Sequence, residues 1–263
     1  MFDCQGNTIY NICVIEKKIH YIWVGGNSLT QLAKKCIKSW KKYCPDYEII
    51  LWNECNFDIS QNQFCQQAYN AKKWAFVSDY MRLKILYDHG GVYMDADVEV
   101  LKPLDEFLHH KAFSGFEQPC VIPTGIIAAQ KGNKWIKANL DWYDGATFIN
   151  NMDELSMEQK LKKSNVYNIM EVTQNMYPEL VLNNTTQHLK DVSFYEKVFF
   201  CPLWSEGGVR LDITKSYTIH HFAGSWLPKK SFRLRIKDAL RHIIGVKRIH
   251  KFKYNRQQQV PEK

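Results

Sequence analysis

The sequence predicts an α/β sandwich with a Rossmann-like central sheet, and three observations carry that expectation. Short apolar strands alternate with segments of helical periodicity, which is the pattern of helices laid on a sheet. The strand at Lys18–Val24 and the stretch Val92–Val100 run into or out of Gly-Gly pairs, Gly25-Gly26 and Gly90-Gly91. The 263 residues suit one large domain or a domain with a small appendage.

In chain order, the strand at Lys18–Val24 is followed by a helix around Leu29–Tyr43 and a strand at Tyr47–Trp52. A second helix is expected from about Lys72 to His89, where Trp74, Val77, Met81 and Ile85 recur at helical spacing. Gly90 and Gly91 stop it, as glycines do at helix C-termini. A strand at Val92–Val100 follows and is closed by Lys102-Pro103, with shorter strands near Ala112–Phe116, Ile126–Ala129 and Tyr217–Phe222. Residues 141–180 read as a polar helical segment, a small subdomain. Residues 1–227 are expected to form the main domain and residues 228–263 a separate basic tail.

Composition narrows the class. The hydrophobic share of 45% and charged share of 24% are those of a globular chain. From Lys229 to Arg256 eleven Lys and Arg face one acid, Asp238, an excess of +10. The formal charge is +8, so the rest of the chain, +8 less +10, carries −2. A near-neutral body argues against nucleic acid as a partner. Phe232, Ile236, Leu240 and Ile243 share one helical face in the basic stretch, with Arg233, Arg235, Lys237 and Arg241 among them. A basic amphipathic helix of this kind suits an anionic membrane surface. No apolar run reaches the ~18–20 residues that cross a bilayer, and no signal peptide is evident. The eight cysteines show no CxxC pair, so free thiols are expected. These readings place the protein in the cytoplasm, peripheral at the inner face of the cell membrane.

The chemistry concentrates in Gly90-Gly91-Val92-Tyr93-Met94-Asp95-Ala96-Asp97-Val98-Glu99. With the strand period of two, Tyr93, Asp95, Asp97 and Glu99 share one face of a continuous strand. Two carboxylates so placed hold a hard divalent cation, and the cation binds a diphosphate. Upstream, Asp79 and Arg82 are i, i+3 neighbours on one helical face. They form either an exposed ion pair worth roughly 0.3–0.5 kcal/mol or a rigid carboxylate–guanidinium pair facing sugar hydroxyls. Far downstream stands His220-His221-Phe222-Ala223-Gly224-Ser225-Trp226, whose alternation puts the two histidines on opposite faces. An imidazole there is a candidate further metal ligand.

The run Val77-Ser78-Asp79-Tyr80-Met81-Arg82, then Gly90-Gly91-Val92-Tyr93-Met94-Asp95-Ala96-Asp97, resembles the D-x-D sugar-binding region of family 32 glycosyltransferases. That family includes bacterial capsular and exopolysaccharide transferases and is distantly similar to clostridial toxin glucosylating domains. His20-Tyr21-Ile22-Trp23-Val24-Gly25-Gly26 resembles its first strand, and Leu101-Lys102-Pro103-Leu104 its usual continuation. The resemblance covers about the first 130 residues and the C-terminal motif.

It implies the GT-A nucleotide-diphospho-sugar transferase fold with a mixed sheet, and transfer with retention of anomeric configuration. It implies Trp23 stacked on the nucleobase with Ile22 and Gly25 beside it, and Asp79 and Arg82 on the donor sugar. Asp95 would contact ribose and metal, Asp97 would be the main metal carboxylate, and His221 the imidazole ligand. Ser225 and Trp226 would close over the donor. The implied cofactor is a divalent cation, manganese ahead of magnesium. The implied donor is a UDP-sugar carrying a hexose or N-acetylhexosamine. The implied acceptor is a glycan or lipid-linked oligosaccharide in surface polysaccharide synthesis. The T-G-P element of many members is replaced here by Val172-Thr173-Gln174-Asn175.

Two other readings of the same residues remain. Asp95–Val98 also satisfies the D-x-D-x-V nucleophile motif of haloacid-dehalogenase-like phosphohydrolases, but no later G-D-x-x-x-D or D-D pair accompanies it. A non-catalytic carbohydrate-binding protein would use exposed Trp and Tyr and leaves the acidic constellation without a role.

Overall fold

The computed structural model describes residues 14–118, 120–123, 125–148, 165–202 and 213–224. Among them, a seven-stranded mixed sheet runs in the order β2-β1-β3-β6-β5-β8-β7. The strands are β1 (Lys18–Ile22), β2 (Glu48–Trp52), β3 (Gly91–Met94), β5 (Ala112–Gly115), β6 (Ile126–Ala129), β7 (Gln187–His188) and β8 (Ser193–Tyr195). β1 pairs in parallel with β2 and β3, and β5 with β8, whereas β6 runs antiparallel to both β3 and β5. The carboxyl ends of β1, β2, β3, β5 and β8 therefore share one edge of the sheet. In open α/β sheets that edge is where ligands bind.

Helices cover the sheet because their apolar stripes match its two faces. Helix α1 (Gln31–Tyr43) starts where the Thr30 side chain accepts the Ala33 N–H, and it buries Ala33, Cys36 and Trp40. Its face joins Val92, Met94 and Phe113 in one core cluster. On the opposite face lie α2 (Gln63–Asn70), α3 (Trp74–His89), α4 (Lys134–Asp141) and α5 (Asn165–Met176). Val77, Met81, Ile85 and Leu86 of α3 pack there with Trp135 of α4 and Ile169 of α5. The indole N–H of Trp135 donates to Thr173 Oγ1 at 2.8 Å, tying α4 to α5. Helix α5 thus packs on the main core.

The expected continuous strand over Val92–Val100 is broken. β3 ends at Met94, a turn spans Asp95–Asp97 with Val98 N–H on the Asp95 carbonyl at 2.9 Å, and β4 (Val98–Val100) leaves the main sheet. β4 pairs antiparallel with β9 (Thr218–His220), with Val98 opposite His220. The break has visible causes. The Trp40 indole N–H holds the Val98 carbonyl at 2.7 Å and Ser39 Oγ accepts the Val100 N–H at 2.9 Å. Helix α1 thereby pulls β4 away from the sheet.

A candidate metal and ligand site of Asp79, Arg82, Asp95, Asp97 and His220

Asp95 stands one residue past β3, where its N–H donates to the Gly125 carbonyl at 2.9 Å. Its Oδ1 accepts the Tyr93 hydroxyl at 2.7 Å and lies 3.6 Å from the Arg82 guanidinium. Asp97, at the end of the turn, takes the Ala223 N–H on Oδ2 at 2.7 Å. His220 Nε2 lies 3.3 Å from Asp97 Oδ1 and 3.8 Å from Asp95 Oδ2. Ligand atoms of Asp95, Asp97 and His220 all fall within 4.8 Å of one another.

The electrostatics follow from this clustering. Burial by itself drives the His220 imidazole down, but the Asp97 hydrogen bond and the charges of both aspartates hold it well above its ordinary range. Burial likewise pushes Asp97 up, and His220 and the Ala223 N–H override it, leaving the carboxyl below its usual value. The two carboxylates thus face the His220 imidazole on one side and, at Asp95, the Arg82 guanidinium on the other. A divalent cation would satisfy the same charges, and oxygen donors with one imidazole are a fitting set for it. Gly125 keeps the space open: a Cβ there would sit 2.9 Å from His220 Nδ1 and 3.0 Å from Asp95 Oδ2. The residues present therefore fit such an ion.

His220, rather than His221, faces the carboxylates. The alternation along β9 turns His221 away, and its Nε2 pairs with Glu99 Oε2 at 2.8 Å, where Lys35 also reaches Glu99. Sequence alone offered no means of choosing between the two faces, because that choice depends on the register of β4 against β9.

Asp79 and Arg82 do not form an exposed pair. Arg82 NH2 meets Asp79 Oδ1 at 2.9 Å, with side chains only 10% and 14% exposed. Arg82 also donates to the Ser78 carbonyl and hydroxyl at 3.1 Å, and its guanidinium carbon lies 4.8 Å from the Tyr93 ring centre. Burial pushes Asp79 up to about 6, with Asp95 adding to the rise and Arg82 and Asn165 opposing it.

The remaining expected donor contacts lie at the ends of β1 and β2. Ile22 is buried in the core. Trp23 takes the Trp52 carbonyl through its backbone N–H and gives its indole N–H to the Asn27 carbonyl at 2.6 Å. Gly25 has φ +88° and lies against the Trp74 indole, so close that a Cβ would meet a ring carbon at 2.6 Å. Its N–H donates to Glu54 Oε1 at 2.6 Å. Gly25, Gly26, Asn27, Glu54, Tyr69, Lys72 and Trp74 line an open depression of about 530 Å³. Trp23 is not among them, while Trp74, at the start of α3, is a residue that sequence reasoning placed only by its helical spacing. Ser225, Trp226 and the tail of 228–263 lie outside the described residues.

Comparison with known proteins places these observations. Residues 30–114 match a family model described as "Glycosyltransferase sugar-binding region containing DXD motif". The chain is 28% identical over 148 residues to inositol phosphoceramide mannosyltransferase 3 of Schizosaccharomyces pombe, covering 51% of this chain and 39% of that protein. It is 28% identical over 159 residues to subversion of eukaryotic traffic protein A of Legionella pneumophila, covering 48% of this chain and 24% of the relative. The chain therefore spans well under half the length of these relatives. Among solved structures, it resembles the PaToxG glycosyltransferase at 20% identity with a TM-score of 0.49, over 64% of this chain and 71% of that one. The matched stretch contains Asp79, Arg82, Asp95 and Asp97, and His220, from beyond it, joins Asp95 and Asp97 in the cluster.

Proposed function

We propose that the protein is a retaining glycosyltransferase dependent on a divalent metal. In this reading it moves a hexose or N-acetylhexosamine from a UDP-sugar to a glycan or lipid-linked oligosaccharide. The observation that carries the proposal is the convergence of Asp95, Asp97 and His220 beside the buried Asp79–Arg82 pair, within a DXD sugar-binding region. Asp95, Asp97 and His220 would hold the cation, with manganese favoured by the imidazole in the donor set. When bound, such an ion offsets the charge that develops on the departing diphosphate. Arg82, fixed by Asp79, Ser78 and Tyr93, presents a guanidinium to donor oxygens without reorganising. Gly25 and Trp74 form the floor on which the nucleobase would rest, at the carboxyl end of β1. His220 replaces His221 as the proposed imidazole ligand. The expected result in a panel of nucleotide sugars is manganese-stimulated hydrolysis of one donor, abolished by EDTA. Absence of turnover across UDP-, GDP- and dTDP-sugars would refute the proposal.

The acceptor is proposed at a lipid surface on two grounds. Two similar proteins are named as inositol phosphoceramide mannosyltransferases, and the segment after Leu227 carries the +10 excess. Each basic residue near an anionic surface contributes on the order of 1 kcal/mol, screened over a Debye length. The intact chain is expected to sediment with phosphatidylglycerol vesicles in low salt and to leave them in high salt. A chain cut after Leu227 is expected to stay in solution while still hydrolysing donor. Equal vesicle binding by both forms would remove the tail from the proposal.

A further inference from the structure

β9 ends at His220, and the chain does not continue straight. Phe222, two residues later, has φ +49°, in the left-handed region that a bulky side chain rarely enters. The conformation is held from both sides. The His221 N–H donates to the Asp97 carbonyl at 3.1 Å, and the Ala223 N–H donates to Asp97 Oδ2 at 2.7 Å. The His221 imidazole is tied to Glu99 at 2.8 Å. A strained residue persists where its surroundings over-determine it, and such residues gather at functional sites.

The turn brings one ring onto another. On an extended strand, side chains two residues apart share a face and stand about 6.6 Å from each other. Here the half-buried Phe222 ring lies over the His220 imidazole, with centroids 4.1 Å apart and planes 31° from parallel. The imidazole has a particular need of such a cover. Imidazoles that bind metals usually have their second ring nitrogen held by a hydrogen bond, which sets the plane of the ring. Nδ1 of His220 is buried and makes no hydrogen bond of ordinary geometry among the described residues. The Cys201 thiol, a weak partner, also acts on the ring. Gly125 closes on the Nδ1 edge, where a Cβ would sit 2.9 Å away. Rotation of an imidazole about its last bond is only loosely restrained by the side chain itself. Packing therefore sets the plane, with Gly125 at the edge and Phe222 over the face.

We infer that Phe222 is a positioning residue of the cation cluster: its ring, stacked on His220, fixes the plane in which Nε2 points at Asp97 and Asp95. The inference rests on the metal-dependent reading of the site, and it gives the strained turn a part in the affinity of that site for its ion. Phe222 acts through His220 and contributes no ligand atom.

The experiment titrates the full chain with manganese chloride, without nucleotide, and reads the unbound ion by electron paramagnetic resonance. It compares wild type, Phe222→Asn, Phe222→Tyr, His220→Ala and the double variant His220→Ala/Phe222→Asn. Asn accepts the left-handed conformation, so Phe222→Asn keeps the turn and removes the ring. It should weaken manganese binding about 10-fold, the lower end of what losing a group that orients a metal ligand costs. Phe222→Tyr keeps the stack and should bind as the wild type does. In the His220→Ala background the Asn substitution should cost nothing further, since no imidazole remains to be aimed. Unchanged affinity in Phe222→Asn would overturn the inference. So would an equal loss in both backgrounds, because the residue would then act through the turn and Asp97 rather than through His220. If circular dichroism shows Phe222→Asn unfolded, Phe222→Leu, which keeps apolar volume without a flat face, takes its place in the cycle with the same outcomes. Absence of manganese binding by the wild type would instead strike the metal-dependent reading itself.

Discussion

Replacing Asp97 with Asn is expected to lower donor turnover more than about 100-fold, beyond what loss of an outer-sphere partner costs a metal site. The melting temperature should barely move. The amide is the same size as the carboxylate, and its carbonyl oxygen keeps the 2.7 Å hydrogen bond from Ala223 N–H that fixes the turn. What disappears is the negative charge 3.3 Å from His220 Nε2. Two changes follow. The imidazole loses the carboxylate that raises its proton affinity, and a cation would lose one of its two carboxylates. Initial rates of donor hydrolysis across a manganese titration check this, with circular dichroism to confirm the fold. EDTA treatment of the wild type should reproduce the loss. Full activity in either experiment would remove the metal from the proposed reaction.

Arg82→Ala is expected to cost about 3–5 kcal/mol of stability, the range for breaking a buried pair by removing one partner. It should also abolish donor turnover. Asp79, 14% exposed, would be left facing Asp95 without a counter-charge. The cation–π contact with Tyr93 would vanish as well. Proton uptake by Asp79 trims the penalty without cancelling it, because its acidity is already shifted toward neutrality. The double variant Asp79→Ala/Arg82→Ala should recover part of the loss, since it buries no unpaired charge. Urea midpoints for the three proteins decide the matter. A single-variant cost under about 1 kcal/mol would mean that the pair behaves as an exposed one.

The regular elements were legible because their signals are local. α3 was marked by Trp74, Val77, Met81 and Ile85 and by the glycines after it, and it spans Trp74–His89. β6 fell on the four residues expected, Ile126–Ala129. The α/β class followed from such elements. Helices α2 and α4 went unread, since Gln63–Asn70 and Lys134–Asp141 are only eight residues long each, and their Asn62 and Asn133 caps gain meaning only once the helices are known. The burial of Asp79 and Arg82 was not legible. Nothing local says that Tyr93, from the next strand, lies against the guanidinium. The choice of His220 over His221 depends on the pairing of β4 with β9, more than a hundred residues away, and the break at Asp95–Asp97 on the hold of Trp40 and Ser39 over β4; period-two reasoning along one strand carries no information about either.

That pairing also sets an order of events. β4 is held by α1 through Trp40 and Ser39, contacts that form among the first hundred residues. β9 arrives only after most of the chain has been made, and the entropy of closing so long a loop delays such contacts in folding. A growing chain therefore carries both aspartates before it carries the imidazole and the Ala223 amide that steady them. In the proposed reaction, a chain stopped short of β9 would hold both carboxylates and lack the imidazole that completes the cluster.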